Sequence, residues 1–362
     1  MKIVLCKICV LTNTRPNVKF DINGICSVCN SFQQKEKKIN WKLQKKKFKI
    51  LVKQIKKQSS GYDVLIPVSG GKDSTWQVYT CLKHNLNPLT FSYKPILRTT
   101  IGQENLNNLM RLGVDHIDFT INRKVELHLL KKSFFKFGAV GLPMHMAMWA
   151  IASQMAKKYN IKYIVWGENP ATEYSGTKES NKLNYLDEKW IKKFGINFNT
   201  KINDWFDNKL TSKNTIPFQR NNNNQKSIFL GQYIKWDPKK IYKIAKYLGF
   251  KESNKPKTGV YKFADIDDDL ISIHHYLKLY KFGFTRAFDN LSLEIRNNRI
   301  SRNIAIKEIK NDLKKKPIED IRKFCKLINI SERKFFQICE KFRNKKIWMK
   351  KNRRWNLNIS LK

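Results

Sequence analysis

The sequence has no apolar run approaching the roughly twenty residues needed to cross a bilayer. Its first ten residues, MKIVLCKICV, form a short hydrophobic patch broken by Lys7, with no small-residue cleavage site. The expectation is a cytoplasmic protein without a signal peptide. Acidic residues are scarce: 29 Asp and Glu stand against 72 Lys and Arg in 362 residues, a formal net charge of +43. Such a surplus invites nucleic acid, because basic surfaces release counterions from phosphate. Lysine is nevertheless spread along the whole chain together with frequent Asn and Ile, as a genome rich in A and T would produce, so the charge alone marks no site. No internal repeat is evident. The length suits one large α/β domain with attachments, or two domains.

Against these absences stands one dense local signal, DVLIPVSGGKDST (63–75). Val64, Leu65, Ile66 and Val68 form a run of the length of a buried parallel strand. Gly70 and Gly71 permit a sharp turn and a close approach of ligand to main chain. Asp73 to His84 then reads as a helix whose first turn leaves N–H groups unpaired, a start that attracts phosphate. Ser69, Ser74 and Thr75 add hydroxyls and Lys72 a positive charge. The Walker A spacing is absent, because Lys72 is followed by Asp73.

Cysteine usage is equally local. Cys6, Cys9, Cys26 and Cys29 form two C-x2-C pairs separated by sixteen residues, the ligand spacing of a four-cysteine zinc knuckle (1–32). A disulfide framework is disfavoured by the expected cytoplasmic setting, and an iron–sulfur centre is the alternative metal group. Cys81, Cys325 and Cys339 fall in helical patterns and read as core. The basic segment 33–60 carries Ile39, Leu43, Phe48, Leu51, Val52 and Ile55 at near-helical spacing. It reads as an amphipathic helix packed across the main domain, with contact to RNA or an anionic membrane as the alternative use of its basic face.

Strand and helix patterns then alternate: strands at 87–93, 116–122 and 161–167, helices at 102–113 and 143–160. Alternation implies a doubly wound parallel sheet from about 61 to 250, with ligands at the carboxyl ends of its strands. The phosphate loop, the end of FSYK (91–94) and WGENPATEY (166–174) converge on that edge. An insertion at about 175–235 lacks clear periodicity and contains NNNNQ (221–225), read as a surface loop. Residues 251–362 read as helical, with two amphipathic helices in 317–345 and fraying lysine-rich last residues.

The loop Ser69-Gly70-Gly71-Lys72-Asp73-Ser74 resembles the S-G-G-x-D-S signature of the ATP pyrophosphatases, the PP-loop enzymes. That resemblance implies the adenine nucleotide alpha-hydrolase-like fold, cleavage of ATP between its α and β phosphates, and adenylylation of a substrate oxygen. The order of FDINGICSVCN (20–30), the basic helix, VSGGKDS (68–74), WGENPATEY and HHYLKLYKFGFTRAFDNLSLEIRNNRISR (274–302) is similar to that of the bacterial N-acetyl sugar amidotransferases of lipopolysaccharide and surface-glycan biosynthesis. The similarity leaves out 175–230 and the last fifty residues. It implies conversion of the acetamido group of a nucleotide-linked sugar to an acetamidino group, with ammonia displacing AMP. The chain has no Cys at position 2, no nucleophile-elbow cysteine and few histidines near a cysteine, so ammonia is expected from a separate glutaminase subunit or from solution. The resemblance suggests a glutaminase and a cyclase-like partner, akin to the subunits of imidazole glycerol phosphate synthase.

Roles follow from position. Ser69, Gly70, Gly71 and Ser74 are expected to hold pyrophosphate, with Lys72 on phosphate and Asp73 on Mg²⁺. Ser92 and Gly167, at strand ends, join the nucleotide-binding set. Glu168, Asn169 and Glu173 follow the fourth strand, where one of them would meet Mg²⁺, the ribose or the amide; a helix cap or turn role is the alternative. His145 opens an apolar helix, either to steer a proton or as a buried hydrogen-bonded residue. Arg286 and Arg296, with Asp289 between, are candidates for the sugar-nucleotide phosphates. His274 and His275 show no metal spacing. Two other readings compete. A tRNA-modifying enzyme fits the charge and the knuckle, although sulfur-transfer members often carry more catalytic-domain cysteines and Cys81 stands alone between 30 and 324. A non-enzymatic zinc-knuckle RNA-binding protein would leave the phosphate loop without a use.

Overall fold

The computed structural model describes residues 1–175, 190–191, 199–220 and 225–361. Five parallel strands, β1 (Val64–Pro67), β2 (Pro88–Tyr93), β3 (Asp115–Phe119), β4 (Tyr163–Trp166) and β5 (Lys226–Phe229), form one sheet in the order β3-β2-β1-β4-β5. The central strands read as continuous apolar runs because the sheet is covered on both faces. In β1, Val64 and Ile66 enter one core together with Phe48, Val52, Ile55 and Val78, while Leu65 enters the other with Leu89, Phe91, Ala147 and Ile151. Alternate residues of one strand thus feed opposite layers, the period-two consequence of the pleat.

The helices connecting the strands are α3 (Lys72–Lys83), α4 (Thr100–Met110), and the consecutive pair α5 (Arg123–Phe137) and α6 (Leu142–Lys158). The basic segment 33–60 forms parts of two helices, α1 (Ser27–Lys38) and α2 (Trp41–Gln58). The break falls at Asn40, whose side chain accepts from Leu43 N at 3.0 Å and caps α2. Phe48, Val52 and Ile55 of α2 are buried against the sheet, each contributing about 1.5–3 kcal/mol of apolar burial. Its lysines, Lys42, Lys45, Lys46, Lys49 and Lys53 among them, remain exposed.

After β4 comes the short helix α7 (Pro170–Tyr174). Within the expected insertion, Trp205, Leu210 and Phe218 are buried in the core behind β2 and β4, so its described part packs on the sheet. Asn221 to Asn224, where a surface loop was expected, lie outside the described residues. Helix α8 (Pro238–Tyr247) packs on α3, and α9 (Leu270–Phe282), α10 (Arg286–Arg296), α11 (Arg302–Asp312), α12 (Ile318–Ile328) and α13 (Glu332–Lys341) complete the helical region.

The last residues do not fray as the lysine content suggested. They form an antiparallel hairpin, β6 (Trp348–Lys351) and β7 (Arg354–Leu357). The Arg343 guanidinium lies 4.2 Å from the Tyr280 ring centroid and 4.4 Å from that of Trp348, which anchors the hairpin by cation–π contact. Beyond it, Ile3 N donates to Asn358 O at 2.7 Å and Ser360 N to Ile3 O at 3.2 Å, so the two ends of the chain pair.

Candidate active site

From β1 the chain moves to β2 on one side, while β4 lies on the other side of β1, so the loops following β1 and β4 diverge and open a crevice at the carboxyl edge. A cavity of about 470 Å³ occupies it. The loop after β1 is shaped by Gly70, whose φ is +81° and whose Cα faces the backbone of α4: a Cβ there would stand 2.5 Å from Leu106 N. Gly71 is the N-cap of α3, and no side chain caps the helix. Ser69 Oγ accepts from Gly71 N at 3.3 Å, and Ser74 and Thr75 hydroxyls donate to Gly71 O at 2.9 and 3.1 Å. The loop is therefore braced by its own hydroxyls while an uncapped helix start faces the crevice, a cradle suited to phosphate.

Lys72 is buried. Its ammonium pairs with Asp73 and lies 5.7 Å from the Trp236 ring and 5.8 Å from the Phe263 ring. Trp236 Nε1 donates to Asp73 Oδ1 at 2.9 Å, fixing the carboxylate at the cavity wall. Gly167 follows β4 where a Cβ would meet Gln77 Nε2 at 2.4 Å, and Glu168 lines the cavity beside it. Burial, reinforced by the Asp73 carboxylate, pushes the Glu168 carboxyl up to about 7. Arg286 closes the far wall, with Nε 3.4 Å from Asp265 and Nη1 3.7 Å from Asp289.

Asp265, Asp267 and Asp268 also line the cavity. Burial raises the pKa of Asp267, and pushes that of Asp268 up to about 7. With Asp73 and Glu168 this makes five carboxylates facing two cations, Lys72 and Arg286, among the described residues. A polyanion enters such a cavity favourably only with a divalent cation, for which Asp73 and Glu168 offer hard oxygen ligands. Among the described residues, two buried polar atoms on the wall, Gln77 Oε1 and Trp166 Nε1, have no hydrogen-bond partner. One accepts and one donates, the complement of a heterocycle edge.

Of the residues singled out in the sequence, Ser69, Gly71, Lys72, Asp73, Ser74, His145, Gly167, Glu168 and Arg286 line this cavity. Gly70 shapes the loop from behind. His145 is half-buried, with Nδ1 2.7 Å from Gly141 O, and desolvation lowers its pKa. The others lie elsewhere. Ser92 falls between Phe91 and Tyr93, which line the cavity; its hydroxyl donates to Asp118 at 2.6 Å and accepts from Arg98 at 3.1 Å, away from the cavity. Asn169 accepts from Trp190 Nε1 at 3.2 Å, and Glu173 pairs with Lys35 of α1. Asp289 is buried behind Arg286 and receives Arg15 Nε at 2.7 Å. Arg296 points at the cysteine cluster: burial opposes its charge, but Cys9, Cys29 and Cys26 outweigh it and hold its pKa above the ordinary value. The sequence reading did not place Asp265, Trp236, Tyr261 or Phe263 at the site, and for the aspartates the acidic run ADIDDD (264–269) was the available signal.

The four cysteines are buried with their sulfurs within 4.8 Å of one another. Cys6 to Cys29 is 3.9 Å and Cys9 to Cys26 is 3.7 Å. Metal–sulfur bonds of ~2.3 Å in a tetrahedron require S···S separations of ~3.8 Å, so the set fits one metal ion. Backbone N–H groups of Leu11, Cys26 and Cys29 point at Cys9, Cys6 and Cys26 sulfurs at 3.5, 3.2 and 3.4 Å. The module also grips the strand-four loop: Arg15 Nη1 donates to Tyr174 O at 2.8 Å and Ser27 Oγ to Ser175 O at 2.6 Å.

Strand order and crossover crevice define a doubly wound α/β protein, and its S-G-G-x-D-S loop resembles that of the PP-loop enzymes. Residues 244–362 match the family described as LPS biosynthesis protein WbpG-like, C-terminal domain. Among solved structures, the chain is similar to NMN synthetase from Francisella tularensis, at 12% identity and TM-score 0.37, covering 76% of this chain and 93% of that one. It is also similar to a predicted subunit of tRNA methyltransferase from Methanocaldococcus jannaschii DSM, at 16% identity and TM-score 0.29, covering 59% of this chain and 86% of that one. No curated protein matches the sequence. Among the described residues, no helix is long and apolar enough to cross a membrane.

Proposed function

We propose that the protein is an ATP-dependent amidotransferase that converts the acetamido group of a nucleotide-linked sugar to an acetamidino group, releasing AMP and pyrophosphate. The observation that carries this reading is the composition of one cavity. The phosphate loop forms one wall, and the WbpG-like region supplies another through Tyr261, Phe263, Asp265, Arg286 and Asn290. A loop suited to phosphate thus faces side chains of the region that matches a lipopolysaccharide-biosynthesis family, which supports this reading.

In this reading the uncapped start of α3, Ser69 and Lys72 hold the ATP phosphates, and Gln77 and Trp166 meet the adenine edge. Mg²⁺, held by Asp73 and Glu168, would neutralise the departing pyrophosphate. Arg286 orients the anionic end of the sugar nucleotide. An amide oxygen is a poor leaving group, so its attack on the α-phosphate makes it one; ammonia then forms a C–N bond at the same carbon and AMP departs with the oxygen. The cysteine cluster binds Zn²⁺ in a structural role, since protein fills all four positions. Ammonia comes from a separate glutaminase subunit, together with a cyclase-like partner.

The test is direct. Purified protein given ATP, Mg²⁺, ammonium and an acetamido nucleotide sugar releases pyrophosphate, and the sugar loses the mass difference between O and NH. The exposed lysine face of α2 favours one second reading, a tRNA-modifying enzyme. Pyrophosphate release that requires tRNA instead of the sugar would select it.

A further inference from the structure

Beside the main cavity lies a second, smaller chamber of about 30 Å³, walled by Glu126, Leu130, Gly141, His145, Asp268 and His274. It has room for about one water-sized molecule. His145, Asp268, Tyr93, Met144 and Ile271 border both spaces, so the chamber adjoins the main cavity.

Its chemistry is one-sided. Glu126 is only 3% exposed, and among the described residues no hydrogen bond or ion pair holds its carboxylate. Burial, then the Asp268 charge, push its carboxyl up to about 8. Among the described residues, the Asp268 carboxylate accepts only from Leu270 N, at 3.0 Å. Burial lowers the pKa of His145 and His274, with Lys278 of α9 adding to both. Neutral His145 that donates from Nδ1 to Gly141 O keeps Nε2 as an acceptor. With Glu126 and Asp268 ionised the chamber presents acceptors, and because the cations of the site, Lys72 and Arg286, lie outside it, a small cation entering it is what favours that ionised form. Water must accept as well as donate; ammonium has the same size and only donates.

We propose that this chamber receives ammonium, transfers one of its protons to Glu126 and delivers ammonia to the main cavity. The inference rests on the amidotransferase reading. Ammonium gives one proton to the Glu126 carboxylate, leaving NH₃ and a neutral acid. The adenylylated amide stands as its neutral imidate, its N–H proton having left with pyrophosphate. The ammonia lone pair forms the C–N bond, one proton moves from the attacking nitrogen to the former amide nitrogen, and the C–O bond breaks with its electron pair on AMP. The product is the amidinium, and Glu126 returns its proton to solvent.

The experiment uses the full chain, with ammonium chloride as nitrogen source and the acetamido nucleotide sugar as acceptor. For the wild type, KM for total ammonium stays nearly level from pH 8 to 9, above the Glu126 pKa of about 8. For Glu126→Gln it is raised at least tenfold at pH 8 and falls severalfold by pH 9, because only free ammonia is then usable; Glu126→Asp recovers part of the loss. A KM and pH profile for Glu126→Gln equal to the wild type would overturn the proposal. Absence of sugar-dependent pyrophosphate release in the wild type would instead strike the amidotransferase reading. Should Glu126→Gln fail to fold, chamber size decides: the wild type excludes methylammonium, and Leu130→Ala forms the N-methylated product. Equal use of methylammonium and ammonium by the wild type would also overturn it.

Discussion

Replacing Gly70 by alanine places a methyl group against backbone that has no freedom to yield. The added Cβ would lie 2.5 Å from Leu106 N, 2.8 Å from Leu106 Cα and 2.9 Å from Asn105 C. Two penalties combine. Alanine at a φ of +81° costs about 1–2 kcal/mol, and forcing a methyl into filled space costs about 1–3 kcal/mol more. Gly113 separates them, since its φ is +86° and a Cβ there meets nothing within 4 Å. Gly113→Ala should therefore lose only the backbone part. In urea unfolding followed by tryptophan fluorescence, Gly70→Ala should lose about 1–3 kcal/mol more than Gly113→Ala. It should also lose at least tenfold in sugar-dependent pyrophosphate release, because relief of the contact shifts Ser69 and Gly71, while Gly113→Ala keeps that activity. Equal destabilisation of the two variants would refute the claim that the loop is pressed onto α4.

Other expectations are independent of that loop. Cys9→Ser should lower the metal content of the purified protein from one ion per chain toward none, read by a colorimetric chelator. Arg15→Ala leaves the buried Asp289 with Arg286 at 3.7 Å, and should destabilise the protein by about 3–5 kcal/mol in denaturant unfolding. Glu126 binds its proton more tightly in the folded chain than in the unfolded one, since burial carries its pKa from 4.5 up to about 8. Its contribution to stability is therefore lost as pH rises through that window, by at most about 1.4 kcal/mol per unit. Glu126→Gln should flatten this limb in urea midpoints measured from pH 5 to 8.

The parts legible in the sequence are those encoded by neighbours. β1, β2 and β4 declare themselves as apolar runs because both of their faces are covered, and the phosphate loop because its glycines, hydroxyls and helix start are consecutive. β5 escaped notice: Lys226–Phe229 is an edge strand with only Ile228 and Phe229 buried. Helix α5 was obscured by its mixed surface, including Glu126, whose burial comes from helices far along the chain. Pairings across the fold were the hardest to read. Arg296 looks like a phosphate ligand until the cysteine cluster is seen beside it, and Glu173 like a metal ligand until Lys35 is. Ser92 lies at the right height on its strand, but the pleat turns it away from the cavity that Phe91 and Tyr93 face. The C-terminal hairpin was hidden by its lysines, because its anchor is a stack of Arg343 on Tyr280 and Trp348.

The pairing of Ile3 with Asn358 and Ser360 imposes an order on biosynthesis. A ribosome adding about 5–20 residues per second needs roughly 20–70 s to travel from one partner to the other. Throughout that interval the cysteine module lacks its closing strand, and Arg296, which faces its sulfurs, has yet to emerge for most of it. The crevice at the sheet edge waits as well, since its far wall is translated some two hundred residues after its loop. A stalled or truncated nascent chain would thus leave the cysteine module without its closing strand and the cradle without its far wall at the same time.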